Sequence, residues 1–162
     1  MTIPLSVLIV EDVESDAELL VRALKKAGYD PVYEQVDTDE AFRSALNKQS
    51  WEIVISDYRM PQFDGFAALK ILREMDLDVP FIVVSGTIGE ETAVSMMRAG
   101  AQDYLVKGDL ARLSPAVERE LNQASLRRDR RRAEDAQRKS EASYQALVNS
   151  INDAIIVDCV CI

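Results

Sequence analysis

Five residues able to do chemistry together follow four short apolar runs. Glu11-Asp12 come after Leu5–Val10, Asp57 after Ile53–Ile55 and Ser56, Ser85 after Phe81–Val84, and Lys107 after Tyr104–Val106. Gathered in one crevice, the three carboxylates would raise one another's pKa, and a hard divalent cation relieves that conflict. Mg²⁺ suits a few carboxylates with a backbone carbonyl, waters and a phosphoryl oxygen. In such a pocket Asp57 is the candidate nucleophile, because a carboxylate can attack phosphorus and form an acyl phosphate. Phosphoryl transfer asks mainly for positioning and for neutralisation of the equatorial oxygens. Mg²⁺ would supply much of that, Lys107 a second positive charge and the Ser85 hydroxyl a hydrogen bond. Gly86, beside Ser85, leaves room and a backbone N–H for phosphoryl contact.

The elements between these residues decide whether they can meet. Strand-like and helix-like periods alternate from residue 5 to 107. After the first apolar run, Glu14-Ser15-Asp16 opens a helix with Ala17, Leu20, Val21, Leu24 and Ala27 at helical spacing, and Gly28 stops it. Val32–Val36 is a more polar strand suited to a sheet edge. Asp37 and Glu40 form a box-like start to a second helix bearing Ala41, Phe42, Ala45 and Leu46. Ile53–Ile55 precedes a third helix carrying Phe66, Leu69, Ile71 and Leu72. Phe81–Val84 is apolar throughout and reads as a strand buried on both faces. Residues 90–99 form a fourth helix, stopped by Gly100, and Tyr104–Val106 is the fifth strand. Five such alternations point to an α/β fold with a parallel sheet and helices on both faces. In that architecture ligands bind at the carboxyl ends of the strands, where all five residues stand.

Composition excludes several classes. The chain has 162 residues, 28 acids, 19 bases, a net charge of −9 and no histidine. A His-dependent triad, a His-ligated zinc site and a phosphohistidine on this chain are therefore ruled out. Residues 1–110 hold 20 acids against 10 bases and residues 111–162 hold 8 against 9. The acidic first part argues against nucleic-acid binding. No G-x-G-x-x-G follows the first strand, against a dinucleotide site. The second residue after Asp12 is Glu14, not the paired aspartate of a haloacid dehalogenase-type phosphatase. Cys159 and Cys161 are too close to bridge and too few for a metal site, and read as reduced small hydrophobes. No signal peptide or membrane-length apolar run is present, so a cytoplasmic location without membrane contact is expected.

Beyond residue 113 the pattern changes. Ser114-Pro115 reads as an N-cap with proline at the first helical position, and no Gly or further Pro follows as far as Ser150. At ~1.5 Å per residue that allows roughly 50 Å of helix. Val117 and Leu121 can pack on the sheet, while Arg127–Lys139 is almost wholly polar. Glu134/Arg138 and Asp135/Lys139 are spaced for i,i+4 pairs. Arg127, Arg128, Arg130, Arg131 and Arg132 spread over a wide arc without interleaved aromatics, as a solvated face rather than a nucleic-acid stripe. Dimer contact is more credible at the apolar ends, 113–124 and 144–151.

The motifs together resemble the receiver domain of two-component response regulators. These are Glu11-Asp12, Ile53-Val54-Ile55-Ser56-Asp57-Tyr58-Arg59-Met60-Pro61 with Asp64-Gly65, Ser85-Gly86, and Asp103-Tyr104-Leu105-Val106-Lys107. The resemblance implies a flavodoxin-like doubly wound five-stranded parallel sheet of order 2-1-3-4-5 over residues 1–125, with a long C-terminal helical extension. It implies Asp57 as phospho-acceptor, not a conventional enzyme's active site but a signalling switch. Glu11, Asp12, Asp57 and the backbone carbonyl of Arg59 would hold Mg²⁺, and Lys107 would contact the phosphate. Ser85 and Tyr104 would be a switch pair, phosphorylation drawing Tyr104 inward. Arg59 and Thr87 occupy positions that tune phosphoryl lifetime. The implied phosphodonor is a partner histidine kinase or phosphotransfer protein. Gly108 departs from the family's usual proline after the lysine. The rival from another class is a phosphorylation-independent interaction or dimerisation module on the same fold. Glu141–Val148 and Asp153–Asp158 resemble the opening helix and first strand of a PAS domain. That implies a helical linker over 126–143, the start of a truncated PAS-like domain over 144–162, a downstream PAS or output module, and a possible homodimer.

Overall fold

A computed structural model of the chain describes residues 1–87 and 89–160, with side chains as far as Ile156. Strands and helices alternate as β1 (Ile3–Val10), α1 (Glu14–Lys26), β2 (Tyr29–Val36), α2 (Asp39–Lys48), β3 (Ile53–Ser56), α3 (Gly65–Glu74), β4 (Phe81–Ser85), α4 (Glu90–Ala99), β5 (Asp103–Val106) and α5 (Leu113–Val160), with a 3₁₀ turn over Leu110–Arg112 before α5. The sheet is parallel with strand order β2-β1-β3-β4-β5, a flavodoxin-like arrangement as the sequence implies. The chain forms two units, Met1–Ala124 and a second from Ser125 onward.

Strand residues alternate between faces, and each face has its own core. Leu8, Val10, Val54, Phe81 and Val83 pack with Phe42, Leu69, Leu72 and Met96 of α2, α3 and α4. Leu5, Val7, Ile9, Ile53, Ile55, Ile82 and Val84 pack with Leu20 and Leu24 of α1 and Leu113 and Val117 of α5. β3 and β4 are buried throughout, while the edge strand β2 is half exposed and tolerates Pro31. Gly100 closes α4 with φ +109°, a left-handed turn that glycine adopts without steric cost.

Three local expectations are corrected. Thr38, not Asp37, caps α2, its Oγ1 accepting from the Ala41 N–H at 3.2 Å; a hydroxyl one residue closer reaches the orphan donor. The last helix begins at Leu113 rather than after Ser114, because the 3₁₀ turn feeds directly into it. Pro115 still lies in the first turn, where its missing N–H removes no helix bond. Ion pairs among the described residues of the second unit include Arg130–Glu134 at 3.0 Å and Arg138–Asp135 at 3.6 Å. Residues 154–157, expected as a strand, continue the helix. A strand needs a neighbouring strand for its backbone, whereas a helix satisfies its own. The Cys159 side chain and Cys161 lie outside the described residues. Among the described residues no helix is long and apolar enough to cross a membrane.

One fold feature fixes the loop after β3. Asp64 caps α3 by accepting from the Ala67 N–H at 2.8 Å, and the Gly65 N–H donates to the Tyr58 carbonyl at 3.1 Å. A Cβ on Gly65 would lie 2.7 Å from the Asp57 carbonyl oxygen, and backbone cannot rotate away as a side chain can. Gly65→Ala is expected to lower stability by about 1–3 kcal/mol, seen as a lower urea midpoint at unchanged slope.

Candidate functional site

Register brings the strand ends level. Val10 pairs with Ser56, Ser56 with Val83, and Ser85 with Val106. The next residues leave the ladder together: the Asp57 N–H donates to Val10 O at 2.8 Å, Lys107 N–H to Ser85 O at 2.8 Å and Glu11 N–H to Val36 O at 3.0 Å. Glu11, Asp12, Asp57, Ser85 and Lys107 therefore stand at one rim of the sheet.

The centre of the rim is the Lys107 ammonium. Its Nζ donates to Glu11 Oε2 at 2.7 Å, Asp16 Oδ2 at 2.6 Å and Asp57 Oδ2 at 2.9 Å. Three donors meet three carboxylates, which is the full capacity of an ammonium group. Burial works against the charged ammonium, but the bonds to Asp16, Glu11 and Asp57 outweigh it and lift Lys107 above the usual lysine range. Glu11 is buried, 1% exposed, and this desolvation raises its carboxyl above the ordinary value despite Lys107 and the Val13 N–H, both of which favour the anion.

Each acid is held differently. Glu11 Oε1 accepts from the Val13 N–H at 3.1 Å, and its carbonyl accepts from Gln35 Nε2 at 2.8 Å. Asp57 is buried; its Oδ1 accepts from the Arg59 N–H at 3.3 Å, and the Ser56 hydroxyl donates to its carbonyl at 2.8 Å. Asp12 is exposed and borders a cleft of about 200 Å³ with Asp37, Met60, Pro61 and Gln62. One carboxylate oxygen from each of Glu11, Asp12 and Asp57 can be taken with all within 4.8 Å of one another. Three hard oxygen donors with only one lysine to balance them fit a small divalent cation of the Mg²⁺ type.

Two hydroxyls share an acceptor. Ser85 Oγ and Tyr104 Oη both donate to the Thr87 carbonyl, at 3.2 and 3.3 Å. Tyr104 is buried in the α2–α3–α4 core, 9% exposed. The ring gains its burial and its hydroxyl gains a partner without any phosphoryl group. The described peptide bonds are all trans, Lys107–Gly108 among them, and a Cβ on Gly108 would meet nothing within 4 Å.

Asp16 is the member that reading the sequence misses. As a helix-opening acid it looks sufficiently explained by the helix dipole. The available signal was spacing: the first turn of a helix that follows β1 returns to the same rim, four residues after Asp12. Ser56 and Gln35 support Asp57 and Glu11 through backbone carbonyls, which no residue pattern announces.

Comparison with known proteins agrees with this geometry. The response regulator receiver domain family matches residues 7–118. The transcriptional regulatory protein PrrA of Mycobacterium bovis is 41% identical over 101 residues, 62% of this chain and 42% of that protein. Full-length FixJ from B. japonicum superposes with a TM-score of 0.67 at 30% identity, over 76% of this chain and 60% of that one. The signal receiver domain of a signal transduction histidine kinase from Syntrophus aciditrophicus gives 0.63 at 30%, over 74% of this chain and 91% of that one. The chain spans under half the length of the curated relatives it matches first.

Mg²⁺ affinity is expected to fall on acidification, because the ion needs ionised carboxylates and competes with protons for them. Glu11 holds its proton to a higher pH than the ordinary 4.5, so the loss begins before an exposed glutamate would titrate. Calorimetric Mg²⁺ titrations from about pH 7.5 to about pH 5 check this; an affinity that stays constant across that range contradicts it.

Proposed function

The chain belongs to the response regulator receiver family of two-component signalling, and from that membership we propose that Asp57 accepts a phosphoryl group in a Mg²⁺-dependent reaction. The observation that carries the proposal is Lys107 Nζ lying 2.9 Å from Asp57 Oδ2 while also held by Glu11. A fixed positive charge thus stands at the acceptor before any donor arrives, the kind of preorganisation that favours developing negative charge.

In the proposed step an Asp57 carboxylate oxygen supplies the electron pair for a new O–P bond. The P–N bond of a partner's phosphohistidine breaks, and the imidazole leaves with that pair. The donor histidine lies outside these 162 residues, which contain none, and a partner histidine kinase or phosphotransfer protein fits that role. Glu11, Asp12, Asp57 and the Arg59 carbonyl would hold Mg²⁺, which when bound neutralises charge on the phosphoryl oxygens. Lys107 contributes the second positive charge. Ser85 must release the Thr87 carbonyl before it can donate to a phosphoryl oxygen. Tyr104 shares that acceptor, so its release by Ser85 is felt at the tyrosine, the second member of the proposed switch pair. The change then reaches the face made by α4, β5 and α5 and passes along α5 to a downstream module. The PAS likeness of residues 141–148 suggests its kind, although the strand expected after them is helical here. Such a switch is a local electrostatic event biasing a two-state element.

The name of the mycobacterial relative, a transcriptional regulatory protein, concerns a longer protein. We assign no nucleic-acid contact to the acidic receiver itself.

Incubation of the full chain with Mg²⁺ and acetyl phosphate is expected to give an acid-stable, base-labile label on the wild type and none on Asp57→Asn. Lys107→Met should slow labelling by about 10²-fold, the order seen for loss of one charge-stabilising donor. Equal labelling of wild type and Asp57→Asn would refute the acceptor assignment. A folded wild type that takes no label would leave the phosphorylation-independent interaction module.

A further inference from the structure

Asp16 is a charged group that phosphoryl acceptance, as described, does not use. It lies in the first turn of α1, its side chain 32% exposed, with Oδ2 2.6 Å from Lys107 Nζ. It stands outside the Glu11–Asp12–Asp57 cluster that could hold a cation. The Lys107 backbone is tied to the sheet, its N–H on Ser85 O at 2.8 Å, while its ammonium head is held by Glu11, Asp16 and Asp57. The turn after it contains Gly108 and no proline, with the Asp109 N–H on Val106 O at 2.9 Å. A lysine carries a strongly hydrated head on a flexible four-carbon stem, so its acceptors decide where the charge sits.

Those acceptors change as the proposed reaction proceeds. A cation held by Glu11 and Asp57 competes with Lys107 for their oxygens. Once Asp57 becomes an acyl phosphate, its carboxylate charge is gone as well. Of the three acids on the ammonium, Asp16 alone is claimed by neither the cation nor the phosphoryl group. We propose that Asp16 is a positioning residue that keeps Lys107 over the pocket while Glu11 and Asp57 are given up, so that the two released N–H donors turn to phosphoryl oxygens. This inference rests on the acceptor role of Asp57. The simpler account, an acid stabilising the N-terminus of α1 through its dipole, requires no link to Lys107.

The test uses the full chain with Asp16→Asn, Asp16→Glu, Lys107→Met and the double variant Asp16→Asn/Lys107→Met. Asp16→Asn is expected to slow labelling by acetyl phosphate about tenfold or more, since small misplacements of a reacting group cost that order. Asp16→Glu, which keeps the charge, should recover part of the rate. Asp16→Asn should add nothing in the Lys107→Met background, because a positioning residue acts only through the group it positions. A second readout needs no turnover: in Mg²⁺ with beryllofluoride, the Lys107 ammonium resonance should be resolved in wild type and Asp16→Glu and exchange-broadened in Asp16→Asn. Urea midpoints establish that each variant folds, and Asp16→Ser replaces Asp16→Asn if that one does not. An unchanged rate, or an equal loss with and without Lys107, overturns the role of Asp16 alone. A wild type that takes no label on Asp57 overturns the acceptor reading, and this inference with it.

Discussion

One ammonium group shared among three carboxylates is the constraint around which this site is built. Lys107 lies 96 residues from Glu11, 91 from Asp16 and 50 from Asp57 along the chain. Without it, Glu11 would lose a partner that favours its anion against desolvation. With it, all three donors of the ammonium are occupied. A buried pair broken on one side leaves an uncompensated charge, which is strongly destabilising. The same interaction that makes the resting site tolerable must therefore be dismantled and rebuilt for a cation and a phosphoryl group to enter.

The sheet makes that concentration of charge possible. Its strand ends are held level by the parallel register, and its two faces are sealed by separate apolar cores. With β3 and β4 buried on both faces, Asp57 and Ser85 emerge at the rim from rigid, dehydrated strands rather than from mobile loops. Desolvation of Glu11 follows from the same packing. The close approach of Gly65 to the Asp57 carbonyl ties the loop after β3 to the start of α3. The acceptor is thus clamped through its backbone, leaving its carboxylate as the part exposed to chemistry.

Much of this was legible from residue order, and the failures share a cause. Phe81–Val84 announces a doubly buried strand, and Gly28 and Gly100 mark helix ends, because these signals depend on neighbours in sequence. The cap at Thr38 and the start of α5 were each misjudged by a residue or two, the margin within which helix ends are set. Residues 154–157 were misjudged in kind, since an apolar β-branched run fits strand or helix until a pairing partner is known. The Tyr104 hydroxyl meets the Thr87 carbonyl, a partner 17 residues away that no pattern reveals.

Residue types and their order alone determined the α/β alternation, the acids, hydroxyl and lysine at the strand ends, and the absence of histidine from these 162 residues. They did so because hydrophobic period and side-chain chemistry are local properties. Only the tertiary structure decided that Asp16 joins Glu11 and Asp57 on one ammonium, that Asp12 faces solvent while Glu11 is desolvated, and that Ser85 and Tyr104 share a single carbonyl. Those outcomes depend on distances between segments far apart in the chain, and such distances are set by strand register and crossover packing rather than by any stretch of sequence read on its own.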